Sequence, residues 1–200
     1  MFPAIGLLEF SSIAVGILAG DAMVKRAPLL TVHAGTVHPG KYLVLVGGEV
    51  ASVDEAMTAG RLTGAGAIVD ELFLPAVHPD VVGAIVGARR AGPGEALGVV
   101  ETASVASTLA AADAGVKGAA VTLLEVRLAD GLGGKAFALF AGAVTDVEAA
   151  VEAGARSVGR DELLVGRVVI PSLHAEMRDN LAAHLEFGAR VRAAAVPSET

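Results

Sequence analysis

The chain has 200 residues and a formal net charge of -7 at pH 7, and no run of Lys and Arg breaks that balance, so the basic face of a nucleic-acid binder is excluded. It contains no cysteine, which excludes disulfides, thiolate metal sites and a cysteine nucleophile and suits a reducing cytoplasm. Hydrophobic residues make up 54% and aromatics only 4%. Units of this size bury about 60–70% of their surface, and the small apolar surface left over predicts an obligate oligomer packed through Ala, Gly and Val.

Ile5–Phe10 reads as a buried strand interrupted by Glu9, and it runs into a helix that Ser11 or Ser12 can cap. Ile13, Ile17, Asp21 and Val24 fall on neighbouring positions of that helix, and Pro28 ends it. The first basic residue is Lys25, so the amino terminus lacks the charged front of a signal peptide. The apolar run Ile13–Gly20 closes at Asp21, short of the about 20 residues a membrane span needs. Asp21 and Lys25, four apart, can pair as on any solvated helix.

Leu29–Val32 is a predicted strand, His33–Gly40 a loop, and Tyr42–Val46 a strand that turns out at Gly47 and Gly48. Ser52 with Glu55 reads as a capping box for a helix carrying Val53, Ala56 and Met57 inward. Ala67–Leu74 is the last strand of the unit and Pro79–Ala88 a closing helix, followed by the linker Arg89–Glu95.

The plan then repeats. Ala4–Ala27 aligns without a gap with Ala96–Ala119 at an offset of 92 (96 minus 4), with 11 identities in 24 positions. Chance would give roughly 2 or 3 in such a composition. Glu9 recurs as Glu101, Asp21 as Asp113 and Lys25 as Lys117. Val50, Val53 and Gly60 recur as Val144, Val147 and Gly154, and Pro75 and His78 as Pro171 and His174. The second unit therefore reads as strand 97–102, helix 104–117, strand 121–128, loop 129–134, strand 135–141, helix 146–156 with a box at Thr145 and Glu148, strand 163–170, and a longer helix from His174 to Arg192. Ala193–Thr200 reads as a frayed tail. Two domains are expected, 1–91 and 96–192, each of an ordinary small-domain size.

The search for chemistry ends without a site. Gly133-Gly134-Lys135 ends like a P-loop, but that pattern needs glycine where Ala129 stands and Ser or Thr where Ala136 stands. Ser157 lies in ARSVG, which lacks the first glycine of a nucleophile elbow. His33, His38, His78, His174 and His184 never take metal-ligand spacing on one helix; His78 and His174, each three residues after a proline, suit a repeated hydrogen bond to backbone. No acid–base pair assembles, and no cofactor is expected.

The residues AIGLLE running into a helix that ends DAMVK, a Gly-rich loop, a strand closing on Gly-Gly-Glu-Val, then VDEAMTAG and LPAVHPD, resemble the bacterial microcompartment shell domain. ETASVASTLAAADAGVKGA, DGLGGKAFALFAGAV, VEAAVEAGA and IPSLH resemble it a second time, so the likeness covers nearly the whole chain. The resemblance implies an α+β fold, a tandem repeat of two ferredoxin-like-sized domains, each a four-stranded antiparallel sheet with packed helices. It implies a homotrimer forming a pseudohexameric tile in the shell of a cytoplasmic microcompartment, beside hexameric tiles and pentameric vertices, with no catalytic site. By the same resemblance Asp21, Lys25, Asp113 and Lys117 mark the tile edge, while Ala76 and Ser172 stand where relatives often carry arginine. Val37, His38, Pro39 and Gly40 with Gly131, Leu132, Gly133 and Gly134 line a central pore for small metabolites, where amide groups suit polar or anionic species. Three copies of His38 would make that opening sensitive to pH, and without cysteine no iron-sulfur cluster is held there. A second reading is a cytoplasmic small-molecule-binding regulator built from duplicated ferredoxin-like domains; an enzyme with its site between subunits is the weakest.

Overall fold

A computed structural model describes residues 4–183 apart from 91 and 93. The first unit runs β1 (Ala4–Phe10), α1 (Ile13–Arg26), β2 (Thr31–Val37), β3 (Lys41–Gly48), α2 (Val50–Gly64), β4 (Ile68–Leu74) and α3 (Pro79–Ile85). The second repeats it as β5 (Ala96–Thr102), α4 (Val105–Gly118), β6 (Thr122–Arg127), β7 (Ala136–Gly142), α5 (Val144–Ser157), β8 (Leu164–Ile170) and α6 (Ala175–Ala182), with a single 3-10 turn at Asp161–Leu163 before β8. Each sheet is antiparallel, in the orders β2-β3-β1-β4 and β6-β7-β5-β8. The two units expected from the repeat, each with the α+β fold that the resemblance implies, are the fold observed.

β1 is buried along its whole length because both of its faces are covered. On one face Leu8 and Phe10 meet Met23 of α1 and Val53 and Met57 of α2 in a core of the first unit's own. On the other, Ile5 and Leu7 join Leu72 and Val81 in a core continuous with Val105, Leu109 and Phe140 of the second unit. Alternating side chains of one strand therefore serve two cores, which is why the sequence there is an apolar run instead of an alternation. Gly6 lets α2 close on β1, since a Cβ there would lie 2.6 Å from Met57 Sδ; Gly98 does the same beneath Val151 Cγ2, also at 2.6 Å.

Ser12 is the N-cap of α1 and accepts from the Val15 amide at 3.4 Å; Ser104 repeats this with Ser107 at 3.2 Å. The capping boxes expected at Ser52 and Thr145 do not form. α2 and α5 begin three and two residues earlier, with Glu49 and Ala143 as N-caps in place of Ser52 and Thr145, and neither cap makes a side-chain hydrogen bond. The loop expected over His33–Gly40 is shorter as well: β2 pairs with β3 as far as Val37 opposite Lys41, leaving a three-residue turn. The hairpin ladder satisfies a backbone whose Gly, Thr and His side chains give weak strand signals. α6 ends at Ala182, and the remainder of the predicted helix to Arg192, His184 and the tail lie outside the described residues.

Candidate functional site

The β2–β3 and β6–β7 turns, one from each unit, lie side by side. In the first, the His38–Pro39 peptide is cis, Gly40 has φ +102°, and the Gly40 amide donates to Val37 O at 2.9 Å. In the second, Gly131, Gly133 and Gly134 have φ of +74°, +63° and +90°, values that favour glycine. A Cβ on Gly134 would stand 2.9 Å from Pro39 Cδ and 3.2 Å from His38 O. The Gly131 amide faces His38 Nδ1 at 3.5 Å, a long contact at an exposed place. All eight residues of the predicted opening, Val37–Gly40 and Gly131–Gly134, thus fall within or beside these two adjoining turns.

Behind the turns the units are joined by a polar seam. Glu9, fully buried, accepts from Lys41 Nζ at 2.7 Å on one oxygen and from the Val105 amide at 2.9 Å on the other. Lys41 Nζ also donates to Ala103 O at 3.2 Å. A carboxylate from the first unit therefore sits on the first turn of α4 in the second, where free amides and the helix dipole favour negative charge. Asp70 accepts from Ser107 Oγ at 2.7 Å and from Ser104 Oγ, while Arg160 donates to Val69 O.

At the far end of α4, Asp113 is buried and takes the His78 amide at 2.8 Å, while Lys117 Nζ donates to Asp113 and to Ala76 O, both at 2.5 Å. Asp113 and Lys117 thus clamp the entry to α3. Their repeats behave differently: Asp21 and Lys25 pair at 2.5 Å, but both side chains are more than half exposed. The four residues assigned together to one edge divide into a solvent-exposed pair and a pair within the seam. His78 caps α3 by accepting from the Asp80 amide at 3.2 Å, the backbone role expected of it; His174 makes no such bond at α6. His33 lies in β2, 2.9 Å from Thr31 Oγ1.

Sequence reasoning missed the duties of Glu9 and Lys41. The available signal was a carboxylate inside an apolar strand, kept in the repeat at Glu101. It also missed Arg89, which donates to Glu125 Oε2 at 2.6 Å and to the carbonyl of Leu181 at 2.5 Å, tying the linker to β6 and α6. Among the described residues no group of three or more His, Asp or Glu side chains is placed to hold a metal, and no helix is long and apolar enough to cross a membrane. A groove of about 420 Å³ between the units is lined by Leu7, Leu43, Leu45, Val105 and Leu109 together with His33 and Asp130.

The BMC domain model matches residues 4–77 and again 96–173. The chain is 44% identical over 177 residues to the Bacterial microcompartment shell protein PduT of Citrobacter freundii, covering 88% of this chain and 96% of that one. It is 38% identical over 85 residues to the shell protein EutM of Salmonella typhimurium, covering 42% of this chain and 86% of that one. Among solved structures, a microcompartment protein from Desulfitobacterium hafniense DCB superposes with a TM-score of 0.76 at 44% identity, covering 88% of this chain and 98% of the other. The fused permuted hexameric shell protein MSM0275 shares the fold, with a TM-score of 0.56 at 21% identity over 77% of this chain and 82% of that one.

Proposed function

We propose, for a chain that belongs to the bacterial microcompartment shell proteins through both of its halves, that three copies close into a ring of six domains, a flat tile with a central passage for small metabolites. The observation that carries this reading is the meeting of the two unlike turns, Gly134 against Pro39 and His38, within one chain. Three such pairs around one axis would give a rim of threefold character, made of backbone amides and glycine, with His38 as its titratable side chain. Oriented amides of this kind favour polar or anionic solutes.

The tile edge falls to Asp21 and Lys25 in the first unit and to Lys117 in the second, where the buried Asp113 fixes the ammonium from below. Other shell proteins, hexameric tiles and pentameric vertices, are the partners this edge would meet in a cytoplasmic shell. Negative-stain microscopy of the overexpressed protein tests the reading against that of a duplicated small-molecule regulator. Flat layers, tubes or hexagonal plates are expected of a tile; discrete, unjoined particles would favour the regulator.

Lys25→Ala should abolish layers while leaving single rings intact. The Asp21 pair is exposed and contributes less than about 1 kcal/mol within the chain, so its loss acts between tiles. Rings that still form layers in this variant would remove Lys25 from the edge.

A further inference from the structure

We infer that the cavity beneath α6, between the linker joining the two units and the second sheet, is a binding site for a small amphipathic carboxylate, an alkyl body with one anionic head. The site lies within one chain and does not rest on the ring proposed above.

The cavity measures about 370 Å³, near the lower end of the roughly 300–1,000 Å³ usual for small-molecule sites. Its wall is apolar, made by Leu97, Leu124, Leu139, Leu173 and Leu181. Leu97 and Leu139 are each 4% exposed, yet they belong to neither core of the molecule. They lie on the face of the sheet turned away from α5, because Gly98, the next residue of β5, is the one that meets Val151. α6 roofs this face without filling it and buries no residue of its own. It hangs instead from polar contacts at both ends. The Leu173 amide donates to Glu95 O at 3.0 Å, Arg178 to Gly94 O at 2.9 Å, and Arg89 to the carbonyls of Leu181 and Ala182. A roof held by its rim over an apolar floor leaves a space that suits an apolar body better than water.

Charged groups line the same space, Arg89, Arg90 and Arg178 with the carboxylates of Glu125 and Asp179. Glu125 is committed to Arg89 at 2.6 Å and Arg90 to Asp80 at 2.8 Å, while Asp179 is exposed. Arg178 donates to two main-chain carbonyls, Gly94 O and Glu95 O, and forms no ion pair among the described residues. Arg89 Nε is buried without an acceptor, the one such side-chain atom among the described residues. A buried donor of this kind calls for a partner. A carboxylate head in the cavity would supply one and at the same time answer the charge of Arg178. The repeat shows that these charges are particular to this cavity. In the first unit His33 stands where Glu125 does, lining the groove described above, and Val82 of α3 stands where Arg178 does.

Isothermal titration calorimetry of the full chain with sodium octanoate tests the site. Octanoate should bind once per chain with a Kd of about 0.1–1 mM, the range open to a ligand of about ten non-hydrogen atoms. 1-Octanol keeps the body without the charge, and acetate the charge without the body; each should bind at least about 10-fold more weakly. Arg178→Met removes the guanidinium and keeps the apolar stem, so octanoate should weaken at least about 10-fold while octanol stays within about 2-fold. Because Arg178 also ties α6 to the linker, Arg178→Lys is the second variant: it keeps the charge and should retain octanoate within about 3-fold. Leu124→Phe, which fills the cavity from β6, should abolish binding of both ligands, with circular dichroism showing all three variants folded. No saturable heat up to about 10 mM octanoate, against the Kd expected from ligand size, would overturn the site. So would octanol bound as tightly as octanoate, or octanoate indifferent to Arg178→Met and Leu124→Phe.

Discussion

Glu9→Leu is expected to destabilise the chain by about 3–5 kcal/mol, read from the shift of its denaturation midpoint at constant slope. The substitution leaves the Lys41 ammonium, mostly buried, without its anion and the Val105 amide at the start of α4 without its acceptor. The equivalent change at Glu101 should cost less than about 1 kcal/mol in the single chain, because Lys135 is half exposed and Glu101 one-third exposed there. The contrast matters more than either value. Equal losses at the two positions would mean that burial in the seam is not what gives Glu9 its weight.

Leu109→Ala should cost about 2–5 kcal/mol, and the loss should not depend on protein concentration, because the contacts it removes lie inside one chain. Ile17→Ala, at the repeated position, removes a side chain that is more than half exposed. In dilute solution it should change stability by less than about 0.5 kcal/mol, and its effect should grow with concentration as rings form, since association adds stability by mass action. Melting curves of both variants over a hundredfold range of concentration separate the cases. A concentration-independent loss at Ile17 would place that residue in a core of its own chain.

Much of the fold was legible because the repeat supplied each element twice. AIGLLEF and ALGVVET could be matched residue by residue, so strand, cap and helix in one unit predicted those in the other. The errors came where local pattern competes with pairing. Ser52 and Glu55 have capping-box spacing, yet the helix starts earlier because Gly48 ends β3 and leaves no room for a loop before Val50. His33–Val37 lacks an apolar alternation, yet the ladder to β3 extends it as an edge strand.

The site was legible only in part. The turns could be located by counting from Gly48 and Gly142, and they do lie together. The seam was invisible for a physical reason: the repeat makes Asp21 and Asp113 look alike, and nothing local records that one faces solvent and the other a neighbouring domain. The apolar stripe Ile13, Ile17 and Val24 carries the same lesson. Gly16, Ala19 and Met23 turn inward in α1, and the stripe is left bare.

The mass of the native particle tests the central claim most directly. Native mass spectrometry of the wild-type protein should give a species of three chains that persists on dilution into the low micromolar range. A single chain, or a particle of two, would contradict a ring in which two unlike halves alternate.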